Sequence, residues 1–317
     1  MYAGAQQTRL SPPRARTIHA DRTILLPKND EPPFSDVSPS GLAWQPTEES
    51  QGRLWVSYGR ATGVNLQSFR PTDPLHITDD TGYMEGSYRE YSVSGGVEPG
   101  PMVFDAERAR LWTFDRRSDR PLPVFTEPSP VRTPPAGTLA PEDSLPYLPS
   151  EEGSARRPEV RGVALYRSRH LNVDREILGV CRAGGLCSSV EVYDLRRRIL
   201  LTQFFPMCEP AGIAVDPDGR RFWLLADNGP GRGMVLIERH VRGLVDSGTR
   251  PHTSLLDTQR FRVLDSNIRG TAIAATGTSV WVLSEKVDPS PEFRGAPAAV
   301  HEFVVGARHG SPGPGGR

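Results

Sequence analysis

The stretch Gly212-Ile-Ala-Val-Asp-Pro-Asp-Gly219-Arg-Arg-Phe-Trp223-Leu-Leu-Ala-Asp227 aligns without a gap with Gly270-Thr-Ala-Ile-Ala-Ala-Thr-Gly277-Thr-Ser-Val-Trp281-Val-Leu-Ser-Glu285, 58 residues further on. Each copy is a short apolar run, a polar turn and a returning aromatic run, the pattern of a β-hairpin. The same shape occurs earlier as Gly41-Leu-Ala-Trp44 before Arg53-Leu-Trp55-Val-Ser57, and as Gly100-Pro-Met-Val-Phe104 before Arg110-Leu-Trp112-Thr-Phe114. Four of the five tryptophans therefore share one position in a repeat. Trp55 and Trp112 are 57 residues apart, Trp223 and Trp281 are 58 apart, and the gap of 111 between the pairs is close to two periods. One degenerate copy is expected there, and Val163-Ala-Leu-Tyr166 with Ile177-Leu-Gly-Val180 supplies its hairpin.

Further apolar runs follow the hairpins: Val190 to Leu195 and Ile199 to Phe205 after the third, Met234 to Glu238 and Arg260 to Leu264 after the fourth. Four strands per unit predicts an all-β chain folded as a β-propeller of about five four-stranded blades. Small residues such as Gly212, Ala214, Gly270, Ala272 and Ala274 suit an innermost strand, and the tryptophans would fill the space between blades. The last unit lacks a fourth strand, leaving an open edge. The segment Thr17 to Leu26 has strand character and is expected to close the ring by pairing with the last blade. Residues 17–306 thus read as one domain, with a proline-rich insertion of little regular structure at 121–158 and flexible termini at 1–16 and 307–317.

Arg+Lys and Asp+Glu balance at 38 each, so no long-range field draws the chain to nucleic acid or anionic lipid. No apolar run of transmembrane length or signal-peptide pattern is visible, which with three sparse cysteines points weakly to the cytoplasm, or to export if a leader has been trimmed. Cys181 and Cys187 flank a loop between two expected strands, so either a cross-strand disulfide or two thiols would fit.

No P-loop, Gly-x-Ser-x-Gly, His-Glu-x-x-His or Cys-x-x-Cys motif occurs. Asp216-Pro-Asp-Gly219 carries carboxylates two residues apart, as calcium loops do, but the same residues are ordinary turn formers and read as a turn. Propeller geometry gathers the loops entering each first strand and leaving each second strand on one face around the axis. That face collects Glu98, Glu159, Glu209 and Arg269 from entering loops, and Asp115, Asp227, Asn228 and Glu285 from leaving ones. Glu98, Asp115, Glu209, Asp227, Asn228, Arg269 and Glu285 are the candidate ligand-binding residues. Their carboxylates either share a cation or raise one another's pKa for acid catalysis, or they form a solvated rim ion-paired with Arg116, Arg161 and Arg269.

The phrase Pro210-Ala-Gly-Ile-Ala-Val-Asp-Pro-Asp-Gly219, with Phe-Trp-Leu-Leu-Ala-Asp227 and Val190-Glu-Val-Tyr-Asp-Leu195, resembles the repeats of NHL, YVTN and gluconolactonase-like propellers. Gluconolactonase-like hydrolases hold an axial divalent cation, and this chain departs from their ligand pattern at three places. Glu98 stands one residue early before Gly100-Pro101, Ala211 replaces the expected Asn, and Arg269 replaces the expected Asp. A second likeness, through Met234-Val-Leu-Ile-Glu-Arg239 and Ile268-Arg-Gly-Thr-Ala-Ile273, is to esterase-like phytases. Two functions stay open at this level. One is a non-catalytic propeller that binds a protein or small-molecule ligand through its axial loop face, without a cofactor. The other is a hydrolase or lyase using a divalent cation, calcium for instance, held by Glu98, Glu209, Asp227 or Glu285.

Overall fold

The computed structural model describes residues 16–26, 39–46, 52–59, 65–72, 89–93, 96–116, 123–126, 136–139, 141–144, 159–168, 175–183, 188–194, 199–204, 209–217, 219, 221–228, 233–240, 260–285 and 298–305. Every regular element among them is a β-strand. The N-terminal segment forms β1 (Arg16–Ile18) and β2 (Arg22–Leu25). The first blade is built from β3 (Pro39–Gln45), β4 (Arg53–Tyr58), β5 (Leu66–Phe69) and β6 (Arg89–Val93). The second contains β7 (Pro99–Asp105), β8 (Arg110–Asp115) and β9 (Pro123–Thr126), and β10 (Ala136–Leu139) and β11 (Pro141–Ser144) follow. The third is β12 (Glu159–Ser168), β13 (Arg175–Ala183), β14 (Ser189–Asp194) and β15 (Ile199–Phe204). The fourth is β16 (Glu209–Val215), β17 (Arg221–Asp227), β18 (Met234–His240) and β19 (Arg260–Leu264). The last is β20 (Gly270–Ala275), β21 (Ser279–Ser284) and β22 (Ala299–Val304).

The strands make five sheets, and the chain is a β-propeller. The first strands β3, β7, β12, β16 and β20 contact one another in sequence, and β20 meets β3, so they surround a common axis. Small residues make this approach possible. A Cβ on Gly162 would lie 2.6 Å from the Ile213 nitrogen and 2.7 Å from the Gly212 Cα, and one on Gly41 would lie 2.2 Å from the Gly100 carbonyl oxygen. No side chain can be inserted there without moving a neighbouring backbone.

The repeated tryptophans each occupy a seam between blades. Trp55 packs with Met102 and Leu111 of the second blade, and Trp112 with Val163, Leu178 and Tyr193 of the third. Trp223 packs with Ile273 and Val280 of the last blade, and Trp281 with Leu42, Leu54 and Phe69 of the first. The seam between the third and fourth blades has no tryptophan. The equivalent position on β13 is Gly179, opposite Ala164, and Ile213, Phe222 and Tyr166 fill the space instead. The degenerate copy is thus a packing substitution of one large ring by three side chains.

β2 pairs antiparallel with β22, from Arg22 opposite Glu302 to Leu25 opposite Ala299, closing the last blade with the N-terminal segment as the repeat predicted. β1 does something the sequence did not announce: it pairs parallel with β19, becoming a fifth strand of the preceding blade. His19, between the two, lies 2.9 Å from Asp265. The latch therefore spans two blades.

Within the proline-rich stretch 121–158 the described residues form three short strands. β9 and β11 complete the second blade, and β10 pairs parallel with β6 on the outside of the first. Outer strands tolerate proline because one of their edges needs no N–H. The expected flexible termini at 1–16 and 307–317 and the Cys181–Cys187 pairing lie outside the described residues, apart from Arg16, which begins β1, and Cys181, which is buried in β13.

Candidate functional site

The first strand of each blade begins where the second ends, and this end carries the residues singled out from the loops. Glu209 lies opposite Asp227 and both are exposed. Asp115 accepts a hydrogen bond from the Glu98 amide at 3.1 Å, and the Arg116 amide donates to the Glu98 carbonyl at 3.0 Å. The Asn228 amide donates to the Gly233 carbonyl at 3.2 Å, and Arg269 is exposed ahead of β20. Four of the five blades thus present a charged residue at one equivalent position: Glu98, Glu159, Glu209 and Arg269.

A shallow cavity of 30 Å³ opens at this end, lined by Pro39, Ser40, Arg116, Glu159, Arg161, Thr271 and Glu285 among others. Its electrostatics are internally paired. Glu159 Oε1 accepts from Arg116 Nη2 at 2.9 Å, and Glu159 Oε2 lies 2.8 Å from Arg161 Nη2. All three side chains are more than a third exposed, with Glu159 at 42%. Of the candidate residues only Glu285 lines this cavity. Glu98, Asp115, Glu209, Asp227, Asn228 and Arg269 surround the same end without lining it. Among the described residues no group of three or more His, Cys, Asp or Glu is placed to hold a metal ion.

Below the rim, hydroxyls tie the first two blades together. Ser57 Oγ donates to the Gly100 carbonyl at 2.6 Å, and Ser40 Oγ to the Pro99 carbonyl at 3.0 Å. Thr113 reaches the Gly100 and Pro101 carbonyls at 3.4 and 3.3 Å. These bonds satisfy carbonyls at the bulge where β7 leaves regular pairing.

The opposite end holds the larger cavity, which sequence reasoning missed. It measures 550 Å³ and takes residues from all five first strands, including Trp44, Phe104, Leu165, Val215 and Ala275. Those five occupy one register position, opposite Leu54, Leu111, Leu178, Phe222 and Val280 of the second strands. Trp44 is the fifth tryptophan, the one outside the repeat. Its ring lies on Gly52, where a Cβ would meet the ring at 1.9 Å. An aromatic that a repeat does not use was the signal available in the sequence.

Asp105 and Asp216 also border this cavity, yet both are buried and committed. Asp105 accepts from the amides of Glu107 and Arg108 at 3.1 and 3.2 Å, capping the β7–β8 turn. Asp216 accepts from Arg221 Nε at 2.6 Å and from Trp223 Nε1 at 2.9 Å. The Gly219 amide closes the turn on the Asp216 carbonyl at 2.8 Å, with Gly219 at φ +67°, so Asp216 to Gly219 is a turn, as its composition indicated.

No family model and no curated protein matches the chain. Among solved structures it is similar to Kuenenia stuttgartiensis hydrazine synthase, with 14% identity and a TM-score of 0.43 over 81% of this chain and 59% of that one. It is also similar to a putative TolB from Agrobacterium tumefaciens, with 13% identity and a TM-score of 0.41 over 79% and 71%. A chain of a mitotic checkpoint complex matches with 10% identity and a TM-score of 0.44 over 94% and 99%. These likenesses are to the fold alone.

Proposed function

We propose that the chain is a non-catalytic binding propeller whose polar axial end, where the first strands begin, engages a partner. The observation that carries this reading is Glu159 held between Arg116 and Arg161. Such a group crosses from the second blade to the third and presents oriented guanidiniums and a carboxylate at the surface. Its charges are already paired, so it is poorly suited to hold a cation and well suited to steer and orient a charged partner. The mixed signs of Glu98, Glu209, Asp227, Arg269 and Glu285 around it, with the neutral amide of Asn228, support a macromolecular surface more than a small anion or cation. The likeness of the blade sequences to NHL, YVTN and gluconolactonase-like repeats is compatible with this reading.

The test compares the unmodified chain with Arg161→Glu and Glu285→Arg as baits, beside a control substitution on an outer strand. A partner retained by the unmodified chain and the control, released at high salt and lost with both axial variants, supports the proposal. A rise in melting temperature with calcium, magnesium or manganese, reversed by a chelator, would replace it with the cation-dependent hydrolase or lyase.

A further inference from the structure

The 550 Å³ cavity at the hairpin end of the axis lies within the volume range of sites that enclose small organic ligands, roughly 300–1,000 Å³. Its wall is apolar over most of its extent, with the rings of Trp44, Phe104 and Tyr166 beside Leu165, Val215 and Ile273. No Lys, Arg or His is among its described lining residues, so none of these would compensate an anionic ligand. Its charged members are Asp105, Glu107 and Asp216, and the two aspartates are buried with their carboxylates engaged by turn amides and by Arg221 and Trp223. Glu107 is exposed, so its charge is screened by water, and a cation inside the cavity would find no unengaged aspartate among the described residues while the desolvation cost of its charge would remain.

We propose that this cavity binds an uncharged, mainly apolar small molecule with an aromatic body. The ring faces of Trp44, Phe104 and Tyr166 supply contact area at low entropic cost, since each of these side chains is already packed. Trp44 is held against Gly52, and Tyr166 against Gly219, where a Cβ would come within 2.4 Å of its ring. Both rings are thus placed before any ligand arrives, which removes part of the ordering cost of binding. The site is separate from the polar end of the axis, and the two can succeed or fail independently.

The experiment uses the full chain and three forms of one solvatochromic naphthalene dye: uncharged, sulfonated and trimethylammonium. The uncharged form should show a single saturable site and bind at least about tenfold more tightly than either charged form, an energy gap of about 1.4 kcal/mol. Val215→Trp and Ala275→Trp fill the cavity from two different blades, and each should weaken the uncharged dye by about tenfold or more. Melting temperature, measured alongside, identifies a variant that fails to fold, and the other variant then carries the test. Tighter binding of a charged form, undiminished binding by a folded filled variant, or no saturable binding of any form would overturn the proposal. So would binding that appears only after removal of residues 306–317, because the chain's own tail would then be the occupant.

Discussion

Trp223 donates its indole N–H to Asp216 Oδ1 at 2.9 Å, across the hairpin that joins β16 to β17. Trp55 repeats the arrangement with Gln45 Oε1 at 2.7 Å, from the register position equivalent to Asp216. Trp112 and Trp281 fill the same place in their seams, but their indole nitrogens are buried without a hydrogen-bond partner. Two of the four repeated tryptophans therefore anchor a turn through the indole N–H, and two do not, although Trp281 carries the Arg22 guanidinium over its ring at 5.1 Å. Trp223→Phe should cost about 1–2 kcal/mol more in chemical denaturation than Trp112→Phe, since only the former breaks a buried charge-assisted bond. Equal losses would mean that ring volume alone sets the value of these residues.

The close approach of the first strands predicts a sharp difference between glycines. Gly162→Ala places a methyl 2.6 Å from the Ile213 nitrogen, so backbone must shift between blades three and four. A loss of about 1–3 kcal/mol is expected. Gly277, in the β20–β21 turn, has open space around its Cβ position, and Gly277→Ala should change stability by no more than about 0.5 kcal/mol. Urea denaturation of both variants checks the pair.

The latch packs against a buried histidine of the last blade. His301 on β22 is hydrogen-bonded through Nδ1 with Thr23 of β2 at 3.0 Å and through Nε2 with Ser284 of β21 at 2.8 Å. Burial lowers its pKa from 6.5 to about 4, and the charge of Asp265 opposes this only in part. The folded state thus favours neutral imidazole, whereas the unfolded chain protonates near 6.5. The stabilisation from this group is complete above about pH 6.5 and is lost as pH falls toward 4, by about 3 kcal/mol in all. Denaturation across that window should show the loss, and His301→Gln should flatten it. An unchanged slope in the variant would assign the acid sensitivity to other groups.

Removing residues 1–26 deletes β1 and β2 and uncovers the edges of both β22 and β19. The truncated chain should aggregate or form oligomers on size-exclusion chromatography, because bare edges template pairing with other chains. A synthetic peptide of residues 16–26 should return it to the monomer position. A truncated chain that stays monomeric with an unchanged melting temperature would show that the latch is dispensable.

Replacing Glu159 by Gln removes a carboxylate that is 42% exposed and shared by two arginines. Exposed ion pairs contribute little to folding, so the change in stability should stay below about 1 kcal/mol. A larger loss would make the Arg116–Glu159–Arg161 group a brace between blades and weaken the case for it as a recognition surface.

The two best repeats show how far a sequence alignment reaches. Aligned without a gap, they set Gly212 against Gly270. The strand pairing sets Gly212 against Ala272, because Ala214 faces Trp223 nine positions later, whereas Ala274 faces Trp281 only seven positions later. The turn of the last blade is two residues shorter. Since side chains alternate with a period of two, the slip leaves every residue on its correct face, and the error is invisible to hydrophobic pattern. The candidate site was legible to the same degree. Glu98, Glu159, Glu209 and Arg269 do share one end of the molecule, at or just before the first residue of each first strand. Which of them converge was not readable, because loop lengths and side-chain reach decide that.

Local composition was enough to establish the repeating hairpin, the tryptophan positions, the small residues at the axis and the strand that closes the last blade. The first three follow from periodicity and residue size, and the closing strand from the edge that the repeat leaves unpaired in the last blade. The parallel pairings of β1 with β19 and β10 with β6, the filling of the tryptophan-free seam and the apolar cavity around Trp44 were decided only by tertiary structure. They depend on which surfaces remain uncovered once five sheets have packed around one axis, and that is a property of the assembled ring.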